Sequence, residues 1–392
     1  MNLGFGIDVP REGINPQILK WVRVRAGFSL DEVALRFNKS ASDISDWEEG
    51  RSLPTYNQLE KLAYSIYKRP IALFFFPEPP LEESIKDAYR TLPEYELNNL
   101  APGSRYALRE AKARLIALKE LTNSVNPADK IIFNDIKLNP LMDVTKAAIS
   151  IRKYLGISLD QQISCKSKGD AFKMWRNALE SKGIYVFKSS FKQKDISGFC
   201  LFDKEFPVIY VNNGTSDSRQ IFTLFHELSH ILVGENGISI LDDSYISSLD
   251  KPLKSIEIFC NKLAALILVP INDFNKRMRN YDDATNAVEM LSDIYNVSRE
   301  VILRILSDKN IIDSDVYKDM VDRWNEEYLK SEKKTGGGSY YTTKINYLGM
   351  NYIKLALYKY YEGVCTREQL SWYLNIKSRY IDKLEQTISA RM

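Results

Sequence analysis

The chain has 392 residues, 44% of them hydrophobic and 27% charged, with a formal net charge of +3. That length suits two or three domains with real apolar cores, and so balanced a charge points by itself neither to nucleic acid nor to acidic substrates. Four scattered cysteines, Cys165, Cys200, Cys260 and Cys365, lack CxxC spacing, which argues against a cysteine metal site or disulfide scaffold and fits reduced thiols in the cytoplasm.

The first residues, "MNLGFGIDVPREG", lack a basic stretch followed by an apolar run, so no secretory leader is expected. The densest apolar runs, "IALFFF" and "LAALILV", are too short to span a bilayer, and no membrane partner is expected. Residues 1–76 read as a compact all-α module of short helices. Within it "SLDEVALRF" opens with Ser29 and carries Glu32 at the capping-box position. A proline-rich break, "PEPPLEES", begins a helical connector over 77–144 that includes a long helix over 104–125, opened by Ser104.

Character changes in the segment 145–275. Two glycine-ended helices precede "IYVFKSS", "ISGFCLF" and "PVIYVNN", which read as strands, the last two joined as a hairpin. A helix then carries "RQIFTLFHELSHILVG" and another spans "IEIFCNKLAALILVP". Residues 276–330 form a helical extension. A small unit over 331–392 follows the glycine-rich linker "SEKKTGGGS" and ends in "TREQLSWYLNIKSRYIDKLEQ". No internal repeat is evident. The expected fold is thus multidomain and mainly α, with one α+β domain built from a small mixed sheet and the histidine-bearing helix.

Both histidines of the chain, His226 and His230, lie in H-E-x-x-H. On a helix, positions four apart share one face, so both imidazoles can reach one Zn²⁺, and Glu227 between them can take a proton from water beside it. With no histidine left, the third ligand must be a carboxylate, a cysteine or water. Glu257, opening the next apolar helix, is the best placed, and Asn261 one turn later can orient a ligand. Glu235, Asp242, Asp243 and Asp250 are rivals in a loop-like segment.

These two helices resemble the ImmA/IrrE family of zinc metallopeptidases, whose second motif, E-x-x-x-N-x-F-A-A-x-L-L-x-P, is met by Glu257, Asn261, Ala264, Ala265 and Pro270, with Leu263 in place of Phe. Ser229 stands where glycine is common. The resemblance implies a zincin-like peptidase domain in which His226, His230 and Glu257 bind zinc and Glu227 is the catalytic base. It further implies that the substrate is a repressor or other regulatory protein.

The N-terminal module resembles the helix-turn-helix domain of the Xre/Cro repressors through Ala34, Ile44, Trp47, Glu48, Gly50, Pro54 and Leu59. If "SASDISDWEEG" is its reading helix, Ser40, Ser42, Asp43 and Ser45 face bases, while Arg23, Arg25, Lys39 and Arg51 hold phosphates. Residues 1–76 carry ten Lys/Arg against nine Asp/Glu, so a basic footprint is lacking. A homodimer, needing few contacts per subunit, would still bind DNA.

Two functions are therefore weighed. One is a regulatory zinc endopeptidase, its substrate lying as a strand along the sheet edge near "ISGFCLF". The other is a transcriptional regulator or antitoxin, partnered by a co-encoded toxin or repressor, in which the peptidase domain is a sensor or binding surface.

Overall fold

The computed structural model describes residues 13–82, 99–240, 243–281, 283–330 and 339–390. The linker 331–338, the last two residues of the proline-rich break with the connector up to 98, and Asp242 lie outside the described residues. The chain divides into two compact units: residues 1–88, 94–109 and 191–193 form the first and the remainder the second.

In the first unit, α1 (Pro16–Ala26) starts from an Asn15 cap and ends at Gly27, whose φ of 78° suits a residue without Cβ. Helices α2 (Leu30–Leu35) and α3 (Ala41–Glu48) each begin with a complete capping box, Ser29 with Glu32 and Ser40 with Asp43. The boxes satisfy amide donors that no helical carbonyl can reach. After α4 (Tyr56–Glu60) the chain continues as a wider helical turn through Tyr67. Val33, Ile44, Trp47, Leu59, Leu62 and Phe74 are buried together at the centre.

Helix α5 (Pro102–Leu121) starts two residues before the expected Ser104. The second unit continues with α6 (Ile132–Asp135), α7 (Val144–Leu155), α8 (Leu159–Ile163) and α9 (Lys168–Glu180). Strands β1 (Tyr185–Ser189), β2 (Ile196–Leu201) and β3 (Val208–Asn212) follow, then α10 (Asp217–Val233) and β4 (Gly237–Ile240). The sheet order is β1-β3-β2-β4, with β1 and β3 parallel and β2 antiparallel to both neighbours. The β2–β3 hairpin and the small mixed sheet agree with the sequence reading.

Two expectations are corrected here. Strand β2 is interior, paired to β3 on one side and β4 on the other, so "ISGFCLF" offers no edge. The unforeseen strand β4 takes that position, because Gly234 closes α10 with a φ of 93° and turns the chain back along the sheet. In addition, α11 spans Lys251–Leu268, so Glu257 sits in its second turn rather than opening the helix.

Helices α12 (Ile271–Met278), α13 (Ala284–Ile294), α14 (Arg299–Asp308) and α15 (Ser314–Lys330) complete the extension. The last four are α16 (Tyr340–Leu348), α17 (Met350–Tyr361), α18 (Arg367–Leu374) and α19 (Ile381–Ser389). The core of the second unit joins Trp175, Phe225, Leu228, Leu263 and Leu291. Each such side chain contributes about 1.5–3 kcal/mol when fully buried. Among the described residues no single helix is long and apolar enough to cross a membrane.

Candidate metal centre

Helix α10 is held at both ends before any chemistry begins. Ser216 caps its first turn, and the Gly234 amide bonds the carbonyls of His230 and Ile231. Its apolar flank is fastened by Phe225, which meets Trp175 edge-on with ring centres 4.8 Å apart. The face bearing His226, Glu227 and His230 is therefore fixed in direction, and α11 runs against it to bring Glu257 opposite.

The donor atoms converge closely. His226 Nε2 lies 3.0 Å from His230 Nε2. Glu257 Oε2 is 3.4 Å from His226 Nε2, and its Oε1 is 3.5 Å from His230 Nε2. Ligands at 2.0–2.1 Å around one tetrahedral zinc would stand about 3.3 Å apart, so this spacing fits a single ion. These three residues are the group among the described residues with metal-binding geometry.

The chemistry of the donors fits as well. His226 Nδ1 lies 2.9 Å from Asn261 Oδ1. An amide oxygen there accepts the ring proton and leaves Nε2 as a lone pair facing the cluster. Glu257 Oε1, Glu227 Oε2 and His230 Nδ1 are buried without a hydrogen-bond partner. Unsatisfied carboxylate oxygens at such depth are costly, and a bound cation relieves that cost.

Burial disfavours a charged His230, but Cys260 and Glu257 outweigh it and push the imidazole well above its ordinary range. Burial likewise opposes ionisation of Glu257, yet His230 and His226 hold its carboxyl well below the usual carboxylate range. The pair thus favours an imidazolium beside a carboxylate, and a metal ion taken up here displaces the His230 proton.

Several contributors were missed by sequence reasoning. Ser239 Oγ, on β4, donates to Glu227 Oε1 at 2.5 Å. Tyr245 OH donates to Glu257 Oε2 at 3.0 Å. The alternation Ile238-Ser239-Ile240 was a signal for the first, being a strand pattern in miniature; nothing local signals the second. Cys200, pushed far above the usual thiol range by burial and then by Glu227, accepts the Gly237 amide at 3.2 Å. The rivals Glu235 and Asp250 are exposed at the two ends of the intervening segment and take no part in the cluster.

The residues expected to touch DNA are held differently. Ser40 and Asp43 bond each other in the capping box of α3, with Ser40 Oγ 2.7 Å from Asp43 Oδ2. Ser45 Oγ donates to Glu49 at 2.9 Å, while Ser42 is exposed. Arg23 pairs with Glu48 at 2.6 Å and Arg25 with Glu82 at 3.4 Å. Lys39 lies 3.8 Å from Asp43, and Arg51 pairs with Asp46 at 2.6 Å and with Glu49. Each of the four cations therefore has an internal carboxylate, and any phosphate must compete with it.

Comparison with known proteins agrees with both halves. Residues 179–307 match a family model described as an IrrE N-terminal-like domain, and residues 19–63 one described as helix-turn-helix. Over 110 residues the chain is 32% identical to proteins named radiation response metalloprotease IrrE from Deinococcus radiodurans and Deinococcus deserti. The match takes in 28% of this chain and 33% and 38% of those relatives, so it spans little more than a third of their length.

Proposed function

Starting from a chain that joins a helix-turn-helix domain to an IrrE-like domain of the metallopeptidase kind, we propose a DNA-binding regulatory zinc peptidase that hydrolyses a peptide bond in a repressor or other regulatory protein. The observation that carries this reading is the convergence of His226, His230 and Glu257 donor atoms beside a Glu227 oxygen with no partner. His226, His230 and Glu257 would hold the ion. Bound there, zinc would polarise the scissile carbonyl and ease ionisation of water.

The protein residues divide the remaining work. Ser239 occupies Glu227 Oε1, so Oε2 is the atom left to accept the proton of the attacking water. The water oxygen bonds to the carbonyl carbon, the carbon–nitrogen bond breaks, and Glu227 returns the proton to the departing amine. Asn261 keeps His226 in one tautomer. Strand β4, which pairs with β2, is the edge along which an extended substrate would add.

The test combines zinc analysis with cleavage of co-encoded proteins by wild type and Glu227→Gln. The variant should keep its zinc and lose at least about a hundredfold in rate. Unchanged cleavage by the variant, or a cluster that takes up no zinc, would overturn the reading.

One observation favours a second reading. His226 is 4% exposed, and Glu227, His230 and Glu257 are 0% exposed, so the centre is closed at rest. That suits a transcriptional regulator or antitoxin whose peptidase domain serves as a sensor or partner surface. In that case Glu227→Gln represses its promoter, or neutralises a co-encoded toxin, as well as wild type does.

A further inference from the structure

The C-terminal segment repeats the order of stops, caps and turns seen in α1–α3, although no repeat is legible as identity and its last helix is preceded by a 3-10 turn, Ser378–Tyr380. Helix α17 ends at Gly363 with a φ of 77°, as α1 ends at Gly27 with a φ of 78°. Thr366 and Gln369 form a complete capping box at the start of α18, as Ser29 and Glu32 do for α2. Asn375 turns the chain with a φ of 48°, as Asn38 does with a φ of 53°.

From the capping box onward the register is constant; the glycine stop stands one residue off it, 363 less 27 giving 336. Positions 366 less 29, 375 less 38 and 381 less 44 all give 337. At that offset the buried residues correspond, Leu370 to Val33, Ile381 to Ile44 and Leu384 to Trp47. Even the exposed apolar residue on the first helix recurs: Trp372 is 80% exposed and Leu35 78%. Helix, glycine stop, capped helix, asparagine turn and second helix is the order of features that the N-terminal helix-turn-helix shows.

The two copies differ in their charges. In α3 and the residues beside it, the cations are held by internal acids, as described above. In the C-terminal copy the acids are held instead. Asp382 accepts Arg367 at 2.8 Å, and Glu385 accepts Tyr361 OH at 2.9 and 3.0 Å. Lys377, Arg379 and Lys383 are exposed on the second helix and its approach, and none forms an ion pair among the described residues. Arg379, exposed in the turn Ser378–Tyr380 just before α19, packs over the Tyr380 ring, 4.9 Å from its centre, and donates to the Tyr380 hydroxyl at 3.0 Å.

We propose that residues 350–389 form a second helix-turn-helix that binds duplex DNA, with α19 entering the major groove. Arg379, in the turn that leads into α19, reaches base edges, where its guanidinium matches the two acceptors of guanine. Lys377 and Lys383 contact phosphates on either side. Gln386, exposed one turn further along, completes the reading face. The proposal stands independently of the peptidase reading.

The experiment uses the full-length protein and a fluorescein-labelled mixed-sequence duplex a few helical turns long, titrated by anisotropy over a range of salt. Lys377, Arg379 and Lys383 are surface residues, so their triple alanine variant should fold, and its urea midpoint and metal content verify this. Affinity at low salt should fall at least about tenfold, and the slope of log K against log salt should become shallower by about 2–3. A control replaces three exposed lysines elsewhere on the same unit, Lys146, Lys166 and Lys204, and should leave both nearly unchanged. The proposal is overturned if wild type binds no duplex, if the triple variant binds as wild type does, or if the control loses as much.

Discussion

At the scale of single residues, His226 shows how a neighbour decides what a side chain can do. Its Nε2 can serve as a ligand atom only while Nδ1 keeps the proton, and Asn261 Oδ1, 2.9 Å away, is placed to accept that proton. Asn261→Ala should therefore weaken zinc binding by about 10–100-fold, measured by competition with a chromogenic chelator, while the urea midpoint of the metal-free protein shifts little. Equal zinc affinity in the variant would assign the amide a packing role alone. The spacing of His226, His230 and Asn261 was legible because each lies on a helix with a known period. Ser239 and Tyr245 were not, since their bonds to Glu227 and Glu257 join residues whose separation follows no such period.

Among the elements, β4 and β1 carry constraints of opposite kinds. Strand β4 passes so near the centre that a Cβ on Gly237 would come within 2.5 Å of His230 Cδ2 and 2.9 Å of Glu227 Oε2. Only glycine lets backbone approach the cluster there. Strand β1 places Lys188 over the Phe172 ring, its Nζ 3.7 Å from the centre, and burial lowers its pKa to about 8 despite Asp217 opposing. Unfolded, the same lysine titrates near 10.4. Between about pH 8 and that value the unfolded chain binds more protons, so this group makes stability rise with pH across the window and weakens the fold below it. Lys188→Met should accordingly raise the unfolding free energy from urea titration at pH 7, by on the order of 1–2 kcal/mol, and lose most of that advantage by about pH 10. An advantage independent of pH would show that shape, not charge, governs the site.

Across the whole molecule, the C-terminal helices are fastened to α9 and the four-stranded sheet by buried charge. Arg176 bonds Glu180 at 3.1 Å, the Asn346 carbonyl at 2.7 Å and the Val186 carbonyl, while Asn351 donates to Glu180 at 2.8 Å. Phe187 and Tyr352 meet edge-on beside them, 5.1 Å apart. Arg176→Ala leaves Glu180 buried and unpaired, and should cost about 3–5 kcal/mol in urea unfolding and speed amide exchange in α16. Protection of α16 as in wild type would show that the apolar contacts suffice. By itself, the sequence determined the capped helices of the first module, the β2–β3 hairpin and the sharing of one helix face by His226 and His230. Those features follow from caps, turns and periods acting over a few residues. Only the tertiary structure decided that β2 is interior, that Arg23 and Arg51 are held by internal acids, and that Asp382 and Glu385 are bonded by Arg367 and Tyr361. Such outcomes depend on which side chains meet across the fold, and neither periodicity nor composition records those meetings.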